Sequence, residues 1–154
     1  GYATSPRGAC HLPATFYIFE LRDVVDPAAI RGKAESYIER EDRLTIMDTM
    51  IICRFFRDMI DWPELITLIK ATTGLDINET RLKEMADNIT TLRRLINLRE
   101  GWTKEDDMLP PRFFEEPING KKITKDEFIY MLEEYYQLRG WDKEGKPLKA
   151  LNIE

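Results

Sequence analysis

Most of the chain carries apolar residues that recur every three or four positions, the spacing of one face of an α-helix. Charged and polar residues fill the positions between them. The longest such segments run from residue 33 to about 47, between 61 and 74, from 79 to about 100 and between 124 and 140. A further short one covers 148–153. No alternating segments flank a hairpin turn. The pattern predicts a mainly α domain of about five main helices.

The predicted helices have recognisable ends. Asp61-Trp62-Pro63 places a capping aspartate before a proline that suits the first helical turn. Asp76-Ile77-Asn78-Glu79 and Thr124-Lys125-Asp126-Glu127 each place an acceptor side chain three residues before glutamate, the spacing of a capping box. Glycines are the expected stops. They are Gly74, Gly101 and Gly140.

Other segments give weaker local signals. Residues 1–14 contain glycine, proline and serine without a period, which predicts an irregular opening segment. Residues 16–26 are apolar and partly β-branched, so an extended conformation is predicted there. Asp26-Pro27 has the composition of a helix start, and Asn119-Gly120 that of a turn. The charge run Glu39–Arg43 predicts a solvated face of the helix around it.

The composition is that of one soluble, globular domain. The chain has 154 residues, of which 43% are hydrophobic and 33% charged, enough for a core of its own. No apolar run approaches the roughly 20 residues that span a bilayer. The net charge of −5 argues against nucleic acid or an anionic membrane as a partner. The opening lacks the features of a signal peptide and an initiator Met, so we expect a cytoplasmic protein and a fragment of a longer one.

Two cysteines, one histidine and one aspartate are the candidate chemical groups. Cys10 and Cys53 are too few for a four-thiolate cluster. They are either ordinary thiols in a reducing cytoplasm or include one ligand of a shared site. His11 is either structural or a proton donor and acceptor near neutral pH. Asp48 stands five positions before Cys53 among apolar residues, where its carboxylate can accept hydrogen bonds from the N–H groups of a cofactor.

Three stretches carry a family resemblance. The first is Asn97-Leu98-Arg99-Glu100-Gly101, followed by Asp106-Asp107-Met108-Leu109-Pro110-Pro111-Arg112-Phe113. The second is Glu134-Tyr135-Tyr136-Gln137-Leu138-Arg139-Gly140-Trp141-Asp142, with Gly145 and Pro147 after it. The third is Asp48-Thr49-Met50-Ile51-Ile52-Cys53, which is similar to an Asp-x-x-Gly-Leu-Cys element. In order and spacing they resemble the C-terminal part of the tungsten-containing aldehyde ferredoxin oxidoreductases.

The resemblance implies a fold and an activity. Enzymes of this family oxidise aldehydes to carboxylic acids and pass the electrons to ferredoxin. They use a tungsten ion held by two pterins, with a [4Fe–4S] cluster close by. A β-rich base domain precedes two largely helical domains, each of which presents an Asp-containing element to one pterin. By this resemblance residues 1–154 are the last helical domain, a fragment that alone is expected to hold neither the tungsten or molybdenum pterin nor the cluster, and to be inactive.

The resemblance also implies roles for individual residues. Asp48 matches the pterin-binding aspartate, and the backbone near Ile52 and Cys53 is expected to add contacts. Cys53 matches the fourth cysteine of the cluster, whose other ligands lie outside this chain. His11 matches the active-site histidine. The expected partners are the rest of the enzyme chain, ferredoxin and a small aldehyde.

One departure from the family pattern supports an alternative function. Ile51 stands where the family element has glycine, and isoleucine is costly wherever the backbone needs a positive φ. The alternative is a divergent helical domain kept as a structural or interaction module, with its redox function lost.

Overall fold

The computed structural model describes residues 1–117, 120, 122–149 and 151. Within these residues the helices are α1 (Tyr17–Leu21), α2 (Lys33–Thr49), α3 (Trp62–Thr73), α4 (Glu79–Arg99), α5 (Arg112–Glu115) and α6 (Lys125–Arg139). Two 3₁₀ turns cover Arg54–Phe56 and Lys104–Asp107. The described part of the chain contains isolated bridges but no strand. The mainly α prediction is therefore confirmed, with four long helices and two short ones.

The predicted helix ends hold for α3 and α6. The Asp61 carboxylate accepts from the backbone N–H of Trp62 at 2.9 Å, and the reciprocal bonds of a capping box are present. The Thr124 hydroxyl accepts from the Glu127 N–H at 3.2 Å, again in a capping box. The capping box predicted at the start of α4 is wrong, because the helix is capped two residues later than predicted. Asn78 caps that helix, while Asp76 pairs with Lys70 at 2.8 Å.

Three other local predictions are wrong or lie outside the described residues. Residues 17–21 of the segment predicted as extended form a short helix. Asp26-Pro27 starts no helix, because the Asp26 carboxylate accepts from the N–H of Ala28 in a turn and α2 begins only after Gly32. Residues 148, 149 and 151 of the last predicted helix are not helical, and 150, 152 and 153 lie outside the described residues. Asn119 of the predicted turn also lies outside them.

The core consists of two apolar clusters packed along α2. The first joins α2 to α6 and to the opening segment. The second joins α2 to α3 and α4. The buried members of the first are Ala3, Ala14, Ala34, Tyr37, Phe128, Leu132, Tyr135, Tyr136 and Trp141. Those of the second are Leu44, Ile46, Met47, Trp62, Leu65, Ile69, Leu82 and Ala86. Helix α2 is therefore central to the fold. Within the described residues no helix is long and apolar enough to cross a bilayer.

A buried ion network lies where α2, α4 and α6 meet. Arg139 Nη2 lies 2.7 Å from Glu41 Oε2 and 2.8 Å from Asp42 Oδ1, and its Nη1 lies 3.0 Å from Asp87 Oδ1. The Tyr135 hydroxyl also donates to Glu41, at 2.9 Å. The solvated face predicted for Glu39–Arg43 is thus wrong at its centre, because α6 supplies a cation that neutralises the buried carboxylates.

A second buried network explains part of the family-like C-terminal pattern. Asp107 accepts from Arg94 Nη1 at 3.0 Å and from Trp102 Nε1 at 2.9 Å, and also from the Tyr136 hydroxyl. Arg94 Nε donates to the Gly145 carbonyl at 2.8 Å. Gly145 has φ +70°, and a Cβ there would lie 2.4 Å from Arg94 Nη2. Asp107, Tyr136 and Gly145, which belong to the stretches that carry the resemblance, are therefore part of one buried network.

Candidate functional site

The candidate site begins at the C-terminal end of α2. The N–H of Ile52 bonds to the Met47 carbonyl at 2.9 Å, and the N–H of Ile51 bonds to that of Asp48 at 3.0 Å. This pair of bonds is a Schellman motif, in which the residue after the helix takes the left-handed conformation that usually requires glycine. Here that residue is Ile51, which has φ +59° and is 92% exposed. A β-branched residue in this conformation is a strong outlier.

Arg54 holds the carboxylate of Asp48. Its Nε lies 2.9 Å from Asp48 Oδ1, and its Nη2 pairs with Oδ2 of the same residue. Its Nη1 donates to the carbonyl of Pro13 at 2.8 Å and to that of Leu12. One guanidinium thus joins the loop after α2 to the segment that follows His11. Arg54 is not among the site residues predicted from the sequence, where its only signal is its place beside Cys53.

The segment around His11 is a tight turn. The N–H of Thr15 bonds to the His11 carbonyl at 2.9 Å, and Thr15 has φ +48°. Thr15 and Ile51 are the β-branched residues with positive φ in the described chain, and both border the candidate site. Strained backbone concentrates at functional sites, where surrounding contacts hold it in place. The two turns therefore share a feature that points to function.

His11 lies beside a largely apolar cavity. The imidazole is exposed, and its ring centroid lies 5.4 Å from that of Tyr17 and 6.3 Å from that of Tyr2. The cavity has a volume of about 360 Å³. Its walls include Phe16, Tyr37, Leu109, Phe128 and Leu132. A concave apolar site with a few polar groups is the usual form of a small-molecule pocket.

Cys10 lines the same cavity. Arg7 Nη2 donates to its Sγ at 3.4 Å. Desolvation acts to raise the pKa of Cys10, but the backbone N–H of Leu12 and the Arg7 guanidinium outweigh it and hold that pKa below its ordinary value. The thiol lies next to the candidate histidine in sequence, and the family resemblance gives it no role.

Cys53 follows the Schellman motif and is an exposed free thiol. No group of three or more His, Cys, Asp or Glu side chains in the described chain could hold a metal ion. Any cluster bound through Cys53 must therefore take its remaining ligands from outside these residues. Ile52, between the motif and Cys53, is half-buried and packs on the second apolar cluster.

Large apolar side chains surround this loop on the outside. Besides Ile51, Phe55 is 87% exposed and Met59 is 74% exposed. Grouped apolar exposure of this kind marks an interaction surface more often than free protein surface. The segment from Asp48 to Met59 therefore has the apolar exposure that is typical of an interaction surface.

The donor groups suit the cofactors that the resemblance implies. Each carboxylate oxygen can accept more than one hydrogen bond, and the Asp48 side chain is 35% exposed, so cofactor N–H donors can share it with Arg54. The exposed thiol of Cys53 suits one bond to an iron–sulfur cluster. The structure brings Asp48, Ile52 and Cys53 into one loop and joins it to the residues after His11. The roles of these residues stay predictions.

Comparisons with solved structures support the fold. The active-site complex BamBC of benzoyl coenzyme A reductase, solved with 1,5-dienoyl-CoA, is similar to this chain with a TM-score of 0.67. The two are 21% identical, and the match covers 80% of this chain and 19% of that one. At this identity the likeness concerns the fold alone.

Comparisons with known sequences identify the family. The tungsten-containing aldehyde ferredoxin oxidoreductase of Pyrococcus horikoshii is 30% identical, over 100% of this chain and 27% of its own length. That of Pyrococcus furiosus is 31% identical, over 95% and 25%. The chain thus spans about a quarter of these relatives. The family described as "Aldehyde ferredoxin oxidoreductase, domains 2 & 3" matches residues 1–153. The chain therefore belongs to the aldehyde ferredoxin oxidoreductase family, as the resemblance predicted.

Proposed function

We propose that this chain is the last helical domain of a cytoplasmic tungstopterin, iron–sulfur enzyme that oxidises aldehydes to carboxylic acids and reduces ferredoxin. The observation that carries the proposal is the loop at the end of α2, which presents the carboxylate of Asp48 and the exposed thiol of Cys53 together. The named relatives contain tungsten, and this chain spans about a quarter of their length. The base domain and the other cluster ligands belong to the rest of the enzyme.

The chain contributes positioning and ligands to this chemistry. When bound, the tungsten or molybdenum pterin supplies the two-electron oxidation, and the cluster carries the electrons onward. Asp48 accepts hydrogen bonds from a pterin, and the backbone near Ile52 and Cys53 adds contacts. The Cys53 thiolate is the fourth cluster ligand. Exposed apolar side chains, such as that of Phe55, are covered by the rest of the enzyme and keep water from the site.

In the proposed reaction His11 is the proton acceptor. Conversion of an aldehyde and water into a carboxylic acid releases two protons and two electrons. A ring nitrogen of His11 takes one of these protons, since imidazole can act as a general base. The apolar cavity beside it gives the side chain of a small aldehyde a place to lie.

The test is made in the full-length enzyme. Cys53→Ala is expected to lose or degrade the cluster, while Cys53→Ser keeps a weakened cluster with an altered potential, because oxygen is a harder ligand. His11→Ala is expected to keep both metal centres and slow turnover by ~10²–10⁴-fold, the effect of a lost acid–base group. Cluster content is measured by electron paramagnetic resonance and turnover by aldehyde-dependent dye reduction.

Cys10→Ser is the matched control for these variants. It removes the other cysteine, which lies beside His11, and is expected to leave the cluster and its signal intact. A normal cluster in Cys53→Ala would end the assignment of Cys53. Full turnover in His11→Ala would end that of His11.

A structural or interaction domain without redox function is the second candidate. The replacement of the glycine of the family element by Ile51 favours it, because a cofactor that approaches the backbone closely there would meet a branched side chain. Elemental analysis of the full-length protein separates the two, since the enzyme requires tungsten and iron and the structural domain requires neither. The isolated 154-residue chain is expected to bind neither metal stoichiometrically, because its candidate cluster ligand is Cys53 alone.

A further inference from the structure

We propose that Arg54 is a positioning residue that fixes the Asp48 carboxylate and the His11 turn relative to each other. The inference rests on the proposed function and adds to it a residue that no family resemblance pointed to. Arg54 touches neither a reacting atom nor a metal in this assignment. It acts through the two groups that do the binding and the proton transfer.

The guanidinium of Arg54 makes hydrogen bonds to two different segments of the chain. Nε and Nη2 hold the two oxygens of Asp48, while Nη1 holds the carbonyls of Leu12 and Pro13. These carbonyls belong to residues 42 and 41 positions earlier in the chain. Only a planar fork with several N–H donors can make all these bonds together. Lysine keeps the charge but presents a single donor atom.

The positive charge of Arg54 offsets an unfavourable interaction between the Asp48 carboxylate and the end of α2. Asp48 lies in the last turn of α2, where the unpaired backbone carbonyls of the helix end form the negative pole of the helix dipole. A carboxylate there is repelled by the helix end, and a cation close by offsets that repulsion. Arg54 supplies that cation from the next turn and keeps the carboxylate in one orientation.

The His11 turn needs the same residue for a different reason. Pro13 has no N–H, and the carbonyls of Leu12 and Pro13 point to no helix or strand partner. Arg40 holds the next carbonyl, that of Ala14, at 3.3 Å. Arg54 therefore holds the part of the turn nearer to His11. Without it, the imidazole is free to shift relative to the pterin-facing carboxylate.

The experiment compares Arg54→Gln, Arg54→Lys and the control Arg22→Gln in the full-length enzyme. Arg22 is 62% exposed in its side chain and pairs only with Asp58 in the contacts described, at 3.4 Å. Its replacement removes the same charge from the region between α1 and the site. Tungsten per chain, kcat per bound tungsten, KM and amide hydrogen exchange of peptides covering 8–16 and 125–139 are measured for each.

Arg54→Gln is expected to lower kcat per bound tungsten by ~10–100-fold, the range for a reacting group displaced by about an ångström. KM is expected to change less. Exchange is expected to rise in 8–16 and to stay unchanged in 125–139, which a general loss of folding would not produce. Arg54→Lys is expected to lie between Arg54→Gln and wild type in both readouts, and it tests the role even if Arg54→Gln fails to fold.

Two outcomes would overturn the role of Arg54, and they differ from failure of the proposed function. An active wild type with an Arg54→Gln variant equal to Arg22→Gln in kcat and exchange removes the role of Arg54 alone. A wild type that binds no tungsten and oxidises no aldehyde overturns the proposed function, and the role of Arg54 with it.

Discussion

The middle of α2 and its C-terminal end carry the same kind of side chain in opposite settings. Asp42, in the middle, is buried and shares the guanidinium of Arg139 with two other carboxylates. Asp48, in the last turn of the helix, is exposed, and Ile51 and Phe55 of the loop that follows face outward. In the first arrangement the carboxylates that α2 contributes are buried and share one cation of this chain. In the second, Arg54 of this chain holds the carboxylate, but the carboxylate stays partly exposed beside outward-facing apolar side chains, and this is where we place the function.

Removal of Arg139, the cation at the centre of the buried network, is expected to have the largest effect on stability. Arg139→Met is expected to lower the free energy of unfolding by ~3–5 kcal/mol, because the mutation leaves buried carboxylates without a partner. Urea denaturation measures the change. Arg99→Met is the control, since Arg99 is 76% exposed in its side chain and pairs with the neighbouring Glu100. A loss below about 1 kcal/mol for Arg139→Met would contradict the importance of the network.

The next largest effect is expected to be a dependence of stability on pH, because Asp42 of the same network binds a proton. Burial raises the pKa of Asp42 to about 7; Arg139 opposes this shift, and repulsion from Glu41 and Asp87 adds to it. Between pH 4 and 7 the folded chain therefore keeps a proton that the unfolded chain has released, so stability falls as the pH rises. At about 1.4 kcal/mol per pKa unit, the fall is expected to be on the order of 2–4 kcal/mol.

Asp42→Asn is expected to flatten that pH dependence, because asparagine does not titrate. Unfolding curves at several pH values between 4 and 8 measure it. Glu35→Gln, which alters an exposed carboxylate on the same helix, is the matched control. If Asp42→Asn and wild type lose stability in parallel over this range, the proton is held elsewhere.

At the other end of α2, the strained residue gives a smaller effect of opposite sign. Ile51→Gly is expected to raise the free energy of unfolding by about 1 kcal/mol, since glycine adopts a positive φ without steric cost. The exposed isoleucine side chain gives up little packing in return. Leu92→Gly, in the middle of α4 and 44% exposed, is expected to lose about as much. Destabilisation by Ile51→Gly would show that the side chain has contacts within the chain.

The exposed apolar loop is expected to show the smallest effect in the isolated chain. Phe55→Ser should change its free energy of unfolding by less than about 0.5 kcal/mol, as for most surface positions. In the full-length enzyme the same change should lower the midpoint of thermal unfolding, because the side chain is then covered. Equal behaviour in both settings would show that this surface meets nothing in the enzyme.

The sequence predicted those elements whose signals are local. The capping boxes and glycine stops of α3 and α6 depend on residues within one turn of the helix end, and the structure agrees. Asp26-Pro27 carries a similar signal but leads into residues with no apolar helical face before Gly32. A cap without a buried face behind it does not make a helix.

The sequence could not predict partners that are distant along the chain. Burial of Glu41 and Asp42 depends on Arg139, almost a hundred residues away. The hydrogen bonds from Arg54 to the carbonyls of Leu12 and Pro13 join residues 42 and 41 positions apart, and periodicity does not encode such contacts. Ile51 gave a misleading local signal, because β-branched residues usually argue against the left-handed conformation it adopts.

Helix α2 is one uninterrupted rod of 17 residues, and this continuity has a consequence for reading variants. Asp48 lies six positions after Asp42, which at about 1.5 Å per residue is a distance of about 9 Å along the axis. A small rotation of α2 against α6 therefore also moves Asp48, the candidate pterin ligand. A screen for inactive variants of the full-length enzyme is then expected to include substitutions in α6 that do not contact the cofactor. Such substitutions would act by changing the orientation of α2.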